Sequence, residues 1–220
     1  METTLGLTAT LNSLYVSNVR VVKASFWEIN ESLIKLRGTL INDEPHLLRR
    51  VYHTQKNSML LAEVRTLKRQ HLEISAVVQL INQVFSEEVI GTIALTLVDI
   101  TFNLYFCLMV EYSEDPQVWW SLQLVCVVFY FLNLVVMVWA CETAMDQAKK
   151  VVSNIHRTLV IIFDEKLTTE LELFSVQVLQ QDNTFSAKGL MIDATLLTKV
   201  VSTITTYLLI LIQFLLVKPC

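Results

Sequence analysis

The sequence predicts an all-α, polytopic membrane protein with three transmembrane helices and a cytosolic helical region. Of its 220 residues 53% are hydrophobic and 17% charged, and only four are glycine and three proline. Such a composition favours long uninterrupted helices over sheets and turns. Three stretches, 89–110, 118–141 and about 189–217, reach the ~20 mostly apolar residues that a helix needs to cross a bilayer.

The basic residues predict how these spans are oriented. No Lys or Arg occurs between Arg69 and Lys149, and ten of the seventeen basic residues lie in 1–69. Since basic residues collect on the cytoplasmic side, the amino terminus is expected inside, the loop around Glu114 and Asp115 outside, and the carboxyl terminus extracellular. The sequon at Asn30 is then cytosolic and stays unmodified. The amino terminus has no basic n-region before an apolar core, so no removable signal peptide is expected.

Two further regions, 1–88 and 142–188, are predicted to form cytosolic or amphipathic helices. Residues 1–37 are expected to be helical and partly buried. A seam of apolar residues spaced by three and four then runs into the first span without Pro or Gly, which predicts one long helix with a helical partner. The seam consists of Leu60, Val64, Leu67, His71, Ile74, Val78, Ile81 and Phe85.

Similar spacing follows the second span, in Ala144, Ala148, Val151, Ile155, Leu159 and Ile162, and again in Leu167, Leu171, Phe174 and Val178. Both series indicate amphipathic helices on either side of the segment "DEK". The cytosolic part is therefore predicted to be a helical bundle. With no internal repeat or low-complexity segment, the chain is expected to form a single helical membrane domain, 1–220.

Motifs for catalysis, cofactors or metals are not found in the sequence. It contains no G-x-S-x-G, no H-E-x-x-H and no phosphate-binding glycine loop, so we expect no enzyme and no cofactor. His71 fits a hydrogen-bonded packing residue better than a ligand. The cysteines, Cys107, Cys126, Cys141 and Cys220, lack C-x-x-C spacing, which favours apolar filling over a disulfide framework or a zinc site. No dense basic cluster indicates nucleic-acid binding.

Polar residues within the spans are more informative, because in hydrocarbon such groups need protein or water around them. Asp99 and Asn103 lie one turn apart on one face of the first span. They indicate either a ligand or ion site near mid-membrane or an interhelical hydrogen bond that stabilises packing.

The third span carries a narrow polar stripe. At about 100° per residue, Ser202, Thr206, Leu209 and Gln213 fall within about 60° of one another, and Tyr207 and Phe214 form a second stripe beside them. Such a face either lines a water-filled path or hydrogen-bonds to neighbouring helices. One helix cannot enclose a path, but several copies around a symmetry axis can.

Several motifs, in order, resemble the insect gustatory receptor family. "TYLLILIQF" is similar to the family's last-helix signature, T-Y with Q-F seven residues on. Before it stand an acidic helix containing Phe174, then F-x-A-x-G and I-D, as in the family. "HLEISAVVQLINQVFS" resembles the segment before the family's fifth span, and "FWEINESLIKL" the cytosolic end of its fourth. The resemblance covers most of 26–220.

The resemblance implies a plasma-membrane receptor that forms tetrameric, ligand-gated cation channels. The three spans correspond to the family's fifth to seventh, and the helices at 26–90 and 142–185 to its cytosolic anchor region, through which subunits associate. The last helix is implied to line the pore, with Gln213 and Phe214 near its constriction and Thr206 and Tyr207 as the helix-start pair. About four preceding spans of the family are missing, as in a truncated gene model, an isoform or a fragment.

Together these observations predict a gustatory-receptor-like subunit of a tastant-gated nonselective cation channel. Gln213 is expected to act as gate or selectivity residue, Phe214 as hydrophobic plug, and Ser202 with Thr206 as wet wall. The possible ligand pocket retains contributions of two spans, Asp99, Asn103, Trp119 and Trp120. Expected partners are a small-molecule tastant, membrane lipid and other subunits in a homo- or heterotetramer.

Two other functions remain open at this point. The chain can be a non-conducting helical membrane protein that associates with or regulates full-length receptors. A transporter is disfavoured because paired repeats and Gly/Pro-broken helices are absent from the sequence.

Overall fold

The structure is a computed structural model that describes residues 2–41, 50–109, 116–162 and 164–216, with side chains described over 9–41, 58–107, 120–162 and 164–214. In this part of the chain lie five helices and one two-stranded hairpin. The helices are α1 (Glu2–Ile41), α2 (Arg50–Met109), α3 (Pro116–Leu159), α4 (Glu165–Gln180) and α5 (Ala194–Leu216), and the strands are β1 (Ser186–Ala187) and β2 (Leu190–Met191).

Three of the helices are long and apolar enough to cross a membrane. They are the segments Ser58–Cys107 of α2, Trp120–Leu159 of α3 and Ala194–Phe214 of α5. The predicted class, an all-α polytopic membrane protein with three membrane helices, is confirmed. The 60 residues of α2 give a length of about 90 Å at 1.5 Å per residue, against about 30 Å of bilayer hydrocarbon. This helix therefore extends well beyond one span, as its seam predicted.

The chain divides into two compact units. We call Met1–Ser17, Asn82–Glu142 and Phe185–Cys220 the span unit, and Asn18–Ile81 and Thr143–Thr184 the bundle unit. The span unit contains the three predicted spans, and the bundle unit contains most of the amphipathic helices. The single domain over 1–220 stays a prediction.

The bundle unit is built around the apolar faces that the spacing predicted. Burial is nearly complete for Val64 and Leu67 of the α2 seam. The whole α4 series is buried as well, namely Leu167, Leu171, Phe174 and Val178. Asp164 caps α4, since its Oδ1 accepts the backbone N–H of Lys166 at 2.9 Å and of Leu167 at 3.3 Å. The segment "DEK" is thus a helix start, and the predicted helical bundle is confirmed.

His71 lies at the centre of this bundle between two aromatic rings. Its ring centroid is 5.7 Å from that of Phe26 on α1 and 5.8 Å from that of Phe174 on α4. The side chain is fully buried, and neither ring nitrogen has a hydrogen-bond partner among the described residues. The packing role was predicted correctly, but the expected hydrogen bond is absent there.

Asn30, the sequon residue, belongs to a polar network in the same unit. Its Nδ2 donates to the backbone oxygen of Gln147 at 2.9 Å, and its Oδ1 accepts from Asn154 Nδ2 at 2.8 Å. Only 4% of the residue is exposed. In the folded protein a glycan cannot be attached to this amide, whichever side of the membrane it faces.

The span unit has its own core. Tyr15 of α1 is buried against the Phe85 ring, with centroids 5.6 Å apart, and its hydroxyl lies 3.2 Å from the Cys141 Sγ on α3. Buried residues such as Ile93 and Ile100 of α2 and Met137 of α3 continue this core. The chain is helical over 2–37 and partly buried over 9–37, so the expectation for 1–37 is confirmed over these described residues.

Four residues of the predicted apolar series are only half-buried, namely Ile74, Phe85, Leu159 and Ile162. Ile74 is only half-buried, and the neighbouring Ser75 is buried in its place. The Ser75 hydroxyl donates to the backbone oxygen of His71 at 2.9 Å, so the helix itself satisfies it. Likewise Thr158 is buried beside a half-buried Leu159, and its hydroxyl donates to Asn154 O at 2.8 Å. Small hydroxyl residues can enter a helical core because they bond to their own helix.

Candidate functional site

The buried residues in the first half of α5 share one side of the helix. Leu196, Val200 and Ile204, spaced four apart, are 3%, 3% and 7% exposed. From Ile204 to Gln213 are nine residues, which at about 100° each is about half a turn of the helix wheel. The predicted polar stripe therefore lies opposite the side by which α5 packs in the span unit.

The structure places all members of the stripe on the exposed side. Ser202, Thr206 and Gln213 are exposed, and so is Leu209 between them. Tyr207 and Phe214, the second stripe, are 53% and 74% exposed. Ser202, Thr206 and Gln213 thus share one face that the described part of this chain leaves uncovered, whereas Tyr207 and Phe214 are exposed about 100–120° round the helix from Gln213.

The polar groups of α5 differ in how they are satisfied. The hydroxyl of Thr206 donates to the backbone oxygen of Ser202 at 2.9 Å, and that of Thr205 to Val201 O at 2.8 Å. These hydroxyls can face lipid at little cost because the helix accepts their protons. Gln213 has no hydrogen-bond partner among the described residues. Its amide therefore needs water or another molecule, as do the hydroxyls of Ser202 and Tyr207, which also have no side-chain partner among the described residues.

The four predicted pocket residues are only partly described. Asp99 and Asn103 are half-buried on α2, and Trp120 on α3 is 38% exposed. The Trp119 side chain lies outside the described residues. Asn103 Nδ2 donates to the backbone oxygen of Asp99 at 2.6 Å. Among the described residues this amide group bonds within its own helix, and both the ligand or ion site and the interhelical hydrogen bond stay predictions.

Tyr130 on α3 is a polar neighbour that sequence analysis missed. It is half-buried, and the Asp99 carboxylate is close enough to interact with it electrostatically. Tyr130 belongs to the apolar run "VVFYFLN" of the second span. Its hydroxyl is a polar group within that span, and this is the signal in the sequence that points to it.

Other candidate sites are not supported in the described ranges. There, no group of three or more His, Cys, Asp or Glu side chains could hold a metal ion. Cys107, Cys126 and Cys141 are free thiols, while Cys220 lies outside the described residues. An open groove of about 340 Å³ in the bundle unit, between Val21 and Ile29 of α1 and Ile74 of α2, includes none of the predicted site residues.

These features define a multi-pass helical membrane protein with an uncovered, partly polar face on its last described helix. Residues 3–217 match the model of the 7tm chemosensory receptor family. The chain belongs to that family, and within it to the insect gustatory receptors that the sequence motifs resembled. This is a family of receptors rather than of enzymes.

One curated relative illustrates the relationship. The chain is 28% identical over 187 residues to "Gustatory receptor for sugar taste 43a" of Drosophila melanogaster. The aligned region covers 84% of this chain and 42% of that protein. The chain thus spans less than half the length of the relative.

Proposed function

We propose that this chain is a subunit of a tastant-gated, nonselective cation channel in the plasma membrane. Its amino terminus is cytoplasmic and its carboxyl terminus extracellular, in agreement with the distribution of basic residues. Membership of the gustatory receptor family supports the receptor part of this proposal. The geometry of α5 supports the channel part.

The observation that carries the channel proposal is the position of Gln213. An amide without a partner costs several kcal/mol in hydrocarbon, so a glutamine on the uncovered side of a membrane helix needs water or a neighbouring polar group. Around a symmetry axis formed by four subunits, equivalent glutamines face one another and a central aqueous path. Both requirements of the side chain are then met.

In this arrangement each residue of the exposed face has a role. Ser202 and Thr206 line the water-filled path, whereas Gln213 acts as gate or selectivity residue. Phe214 beside it acts as a hydrophobic plug, since apolar constrictions close pores by excluding water. Tyr207 flanks the wall one turn after the start of the polar stripe. The tetramer contains identical subunits or other receptor subunits.

A small-molecule tastant would open the path by binding the open arrangement more tightly than the closed one, because only this difference in affinity can shift the equilibrium. The span unit supplies part of a pocket for it, with Asp99, Asn103, Trp119 and Trp120. The Drosophila relative is named for sugar taste, so mono- and disaccharides are the first ligands to test.

A second candidate function is a non-conducting subunit that associates with or regulates full-length receptors. Its support is the exposed side of α5, which is largely apolar and therefore also suits packing against another membrane helix. In this case the exposed face of α5 packs against the last helix of a longer receptor, and Gln213 hydrogen-bonds there instead of facing water.

Current recordings separate the two functions. The chain is expressed alone, and together with a full-length gustatory receptor, in cells challenged with a panel of mono- and disaccharides. Sugar-evoked cation current from the chain alone supports the channel. Absence of current alone, with altered amplitude of the partner's current, supports the regulator. Both functions are wrong if the chain alone carries no current, leaves the partner's current unchanged and forms no oligomer when purified.

A further inference from the structure

The hairpin between α4 and α5 needs external support. Ser186 pairs with Met191 and Ala187 with Leu190, so the ladder is two residues long on each side. The turn residues Lys188 and Gly189 have φ of 47° and 86°, as a tight two-residue hairpin turn requires. An isolated two-stranded hairpin is marginally stable at best in water.

Two side chains of α2 provide that support. Asn82 Oδ1 accepts the backbone N–H of Ser186 at 3.2 Å, and Ser86 Oγ accepts that of Lys188 at 2.8 Å. Asn82 and Ser86 are four residues apart and share one face of the helix. They act in place of a third strand, because they accept the N–H of Ser186 on the free edge of β1 and that of the first turn residue, Lys188.

Apolar contacts strengthen the same attachment. Phe185, Ala187 and Ile192 are 0%, 1% and 1% exposed in the span unit. The motif F-x-A-x-G followed by I-D is explained by this geometry, since its apolar members are buried and its glycine takes the positive φ. By contrast, the ion pair between Lys188 and Glu87, at 2.9 Å, is solvent-exposed on both sides and contributes little.

The hairpin continues into α5 without a flexible linker. The Ile192 N–H donates to Phe185 O at 3.0 Å and closes the hairpin. The next residue, Asp193, caps α5, because its Oδ1 accepts the N–H of Leu196 at 3.2 Å and the hydroxyl of Thr195 at 2.6 Å. Ala194, the first residue of α5, follows Lys188 by only six positions in the sequence.

We infer that Asn82 and Ser86 are positioning residues for α5: by holding the hairpin on α2, they carry displacements of α2 to the first turn of the helix that bears Gln213. The chain of contacts is continuous, from side-chain acceptor to strand to helix cap, as physical coupling between elements requires. The consequence for gating rests on the proposed channel function. The mechanical coupling itself does not.

Hydrogen exchange of the full chain in nanodiscs tests the coupling directly. Ser86→Ala removes the acceptor of Lys188 N–H, and loss of one such bond is expected to speed amide exchange roughly 3- to 10-fold in 186–191 and in the first two turns of α5. Ser86→Thr keeps the hydroxyl and should exchange like the wild type. Glu87→Gln, which removes only the exposed ion pair, is the matched control and should change exchange by less than about 2-fold.

Faster exchange that stops at the hairpin, with the first turns of α5 unchanged, overturns the inference. Equal effects of Ser86→Ala and Glu87→Gln overturn it too. Asn82→Leu provides a second variant in which the acceptor for Ser186 is lost, and it must reproduce the effect on α5.

Channel recordings then test the consequence for gating. Ser86→Ala should shift the half-maximal sugar concentration by roughly 3-fold or more while unitary conductance stays at the wild-type value, because the residue positions α5 and does not line the path. A changed conductance with an unchanged half-maximal concentration contradicts the positioning role. If the wild type carries no current, the proposed channel is wrong, and the exchange data still decide whether the hairpin couples α2 to α5.

Discussion

Gln213 lies on the opposite side of α5 from Ile204, nine residues earlier, which is 7% exposed. Ile204 marks the side that packs within the chain, and Gln213 the side that the described residues leave uncovered. In water this pattern is ordinary for an amphipathic helix, but in a bilayer the exposed side meets lipid. The opposition of these two residues is therefore the reason to expect further subunits around α5.

The buried side of α5 predicts an asymmetry between two isoleucines. Ile204→Ala should lower the free energy of unfolding by about 2 kcal/mol, because it leaves a cavity where the helix packs. Ile210 is 41% exposed, and Ile210→Ala should change stability by less than about 0.5 kcal/mol. Thermal unfolding of both purified variants in one detergent measures the difference. Equal losses would mean that α5 packs by another face.

His71 predicts a pH-dependent stability. Burial lowers the pKa of His71 from an ordinary 6.5 to about 4. Because the unfolded chain binds more protons between these values, the stabilising contribution is present above about pH 6.5 and is lost as the pH falls towards 4. His71→Phe should remove this part of the slope without lowering stability at neutral pH, since neither ring nitrogen has a partner among the described residues.

Unfolding curves at pH 7.5 and pH 5 compare the variant with the wild type. The matched control for replacing an imidazole by a phenyl ring is His156→Phe, at an exposed position outside the bundle core. A His71→Phe protein that keeps the wild-type slope, or that loses more than about 2 kcal/mol at neutral pH, would show that the histidine has a polar role in the bundle.

The Asn30 network predicts a coupled pair. Asn30→Ala leaves the Asn154 Nδ2 without its acceptor and should cost about 1–3 kcal/mol of stability. A double-mutant cycle with Asn154→Ala should give a coupling energy of about 1 kcal/mol. Strict additivity of the two substitutions would contradict the hydrogen bond.

The burial of Asn30 also changes how the topology can be tested. Its native sequon faces the cytosol in the proposed orientation and should carry no glycan, and because a glycan there is incompatible with the folded protein, the topology is better tested at other positions. A sequon introduced into the segment 111–117 should be glycosylated in cells, because that segment is expected outside. A glycan on an introduced sequon within 142–162 instead would reverse the proposed orientation.

Apolar spacing was enough to predict most of the architecture. It anticipated the long α2 helix, the buried α4 series and the stripe on α5, because hydrophobic periodicity directly reflects which side of a helix is buried. Where it failed, a polar group had found a partner that sequence cannot show. Ser75 replaces Ile74 in the core because its hydroxyl bonds to its own helix, and Asn30 is buried because two residues of α3 satisfy its amide.

The hairpin was missed for a different reason. Four strand residues are too few for an alternating pattern to stand out, and their partners Asn82 and Ser86 lie about a hundred residues earlier. The F-x-A-x-G motif resembles that of the family, and the positive φ of Gly189 explains why a glycine stands at its last position. Likewise, residue spacing predicts the polar stripe on α5, whereas only the structure shows that no described residue hydrogen-bonds to the Gln213 side chain.

Permeability measurements at Gln213 test the central claim most directly. In channels that contain this chain, bi-ionic reversal potentials are compared for the wild type, Gln213→Ala, Gln213→Glu and the control Ile210→Val, which lies outside the stripe. If Gln213 faces the ion path, Gln213→Glu should raise the permeability of Ca²⁺ relative to Na⁺ at least about 2-fold, and Gln213→Ala should alter unitary conductance, since charged and polar rings govern cation selectivity. Wild-type reversal potentials and conductance in both Gln213 variants would contradict a pore lined by this face of α5.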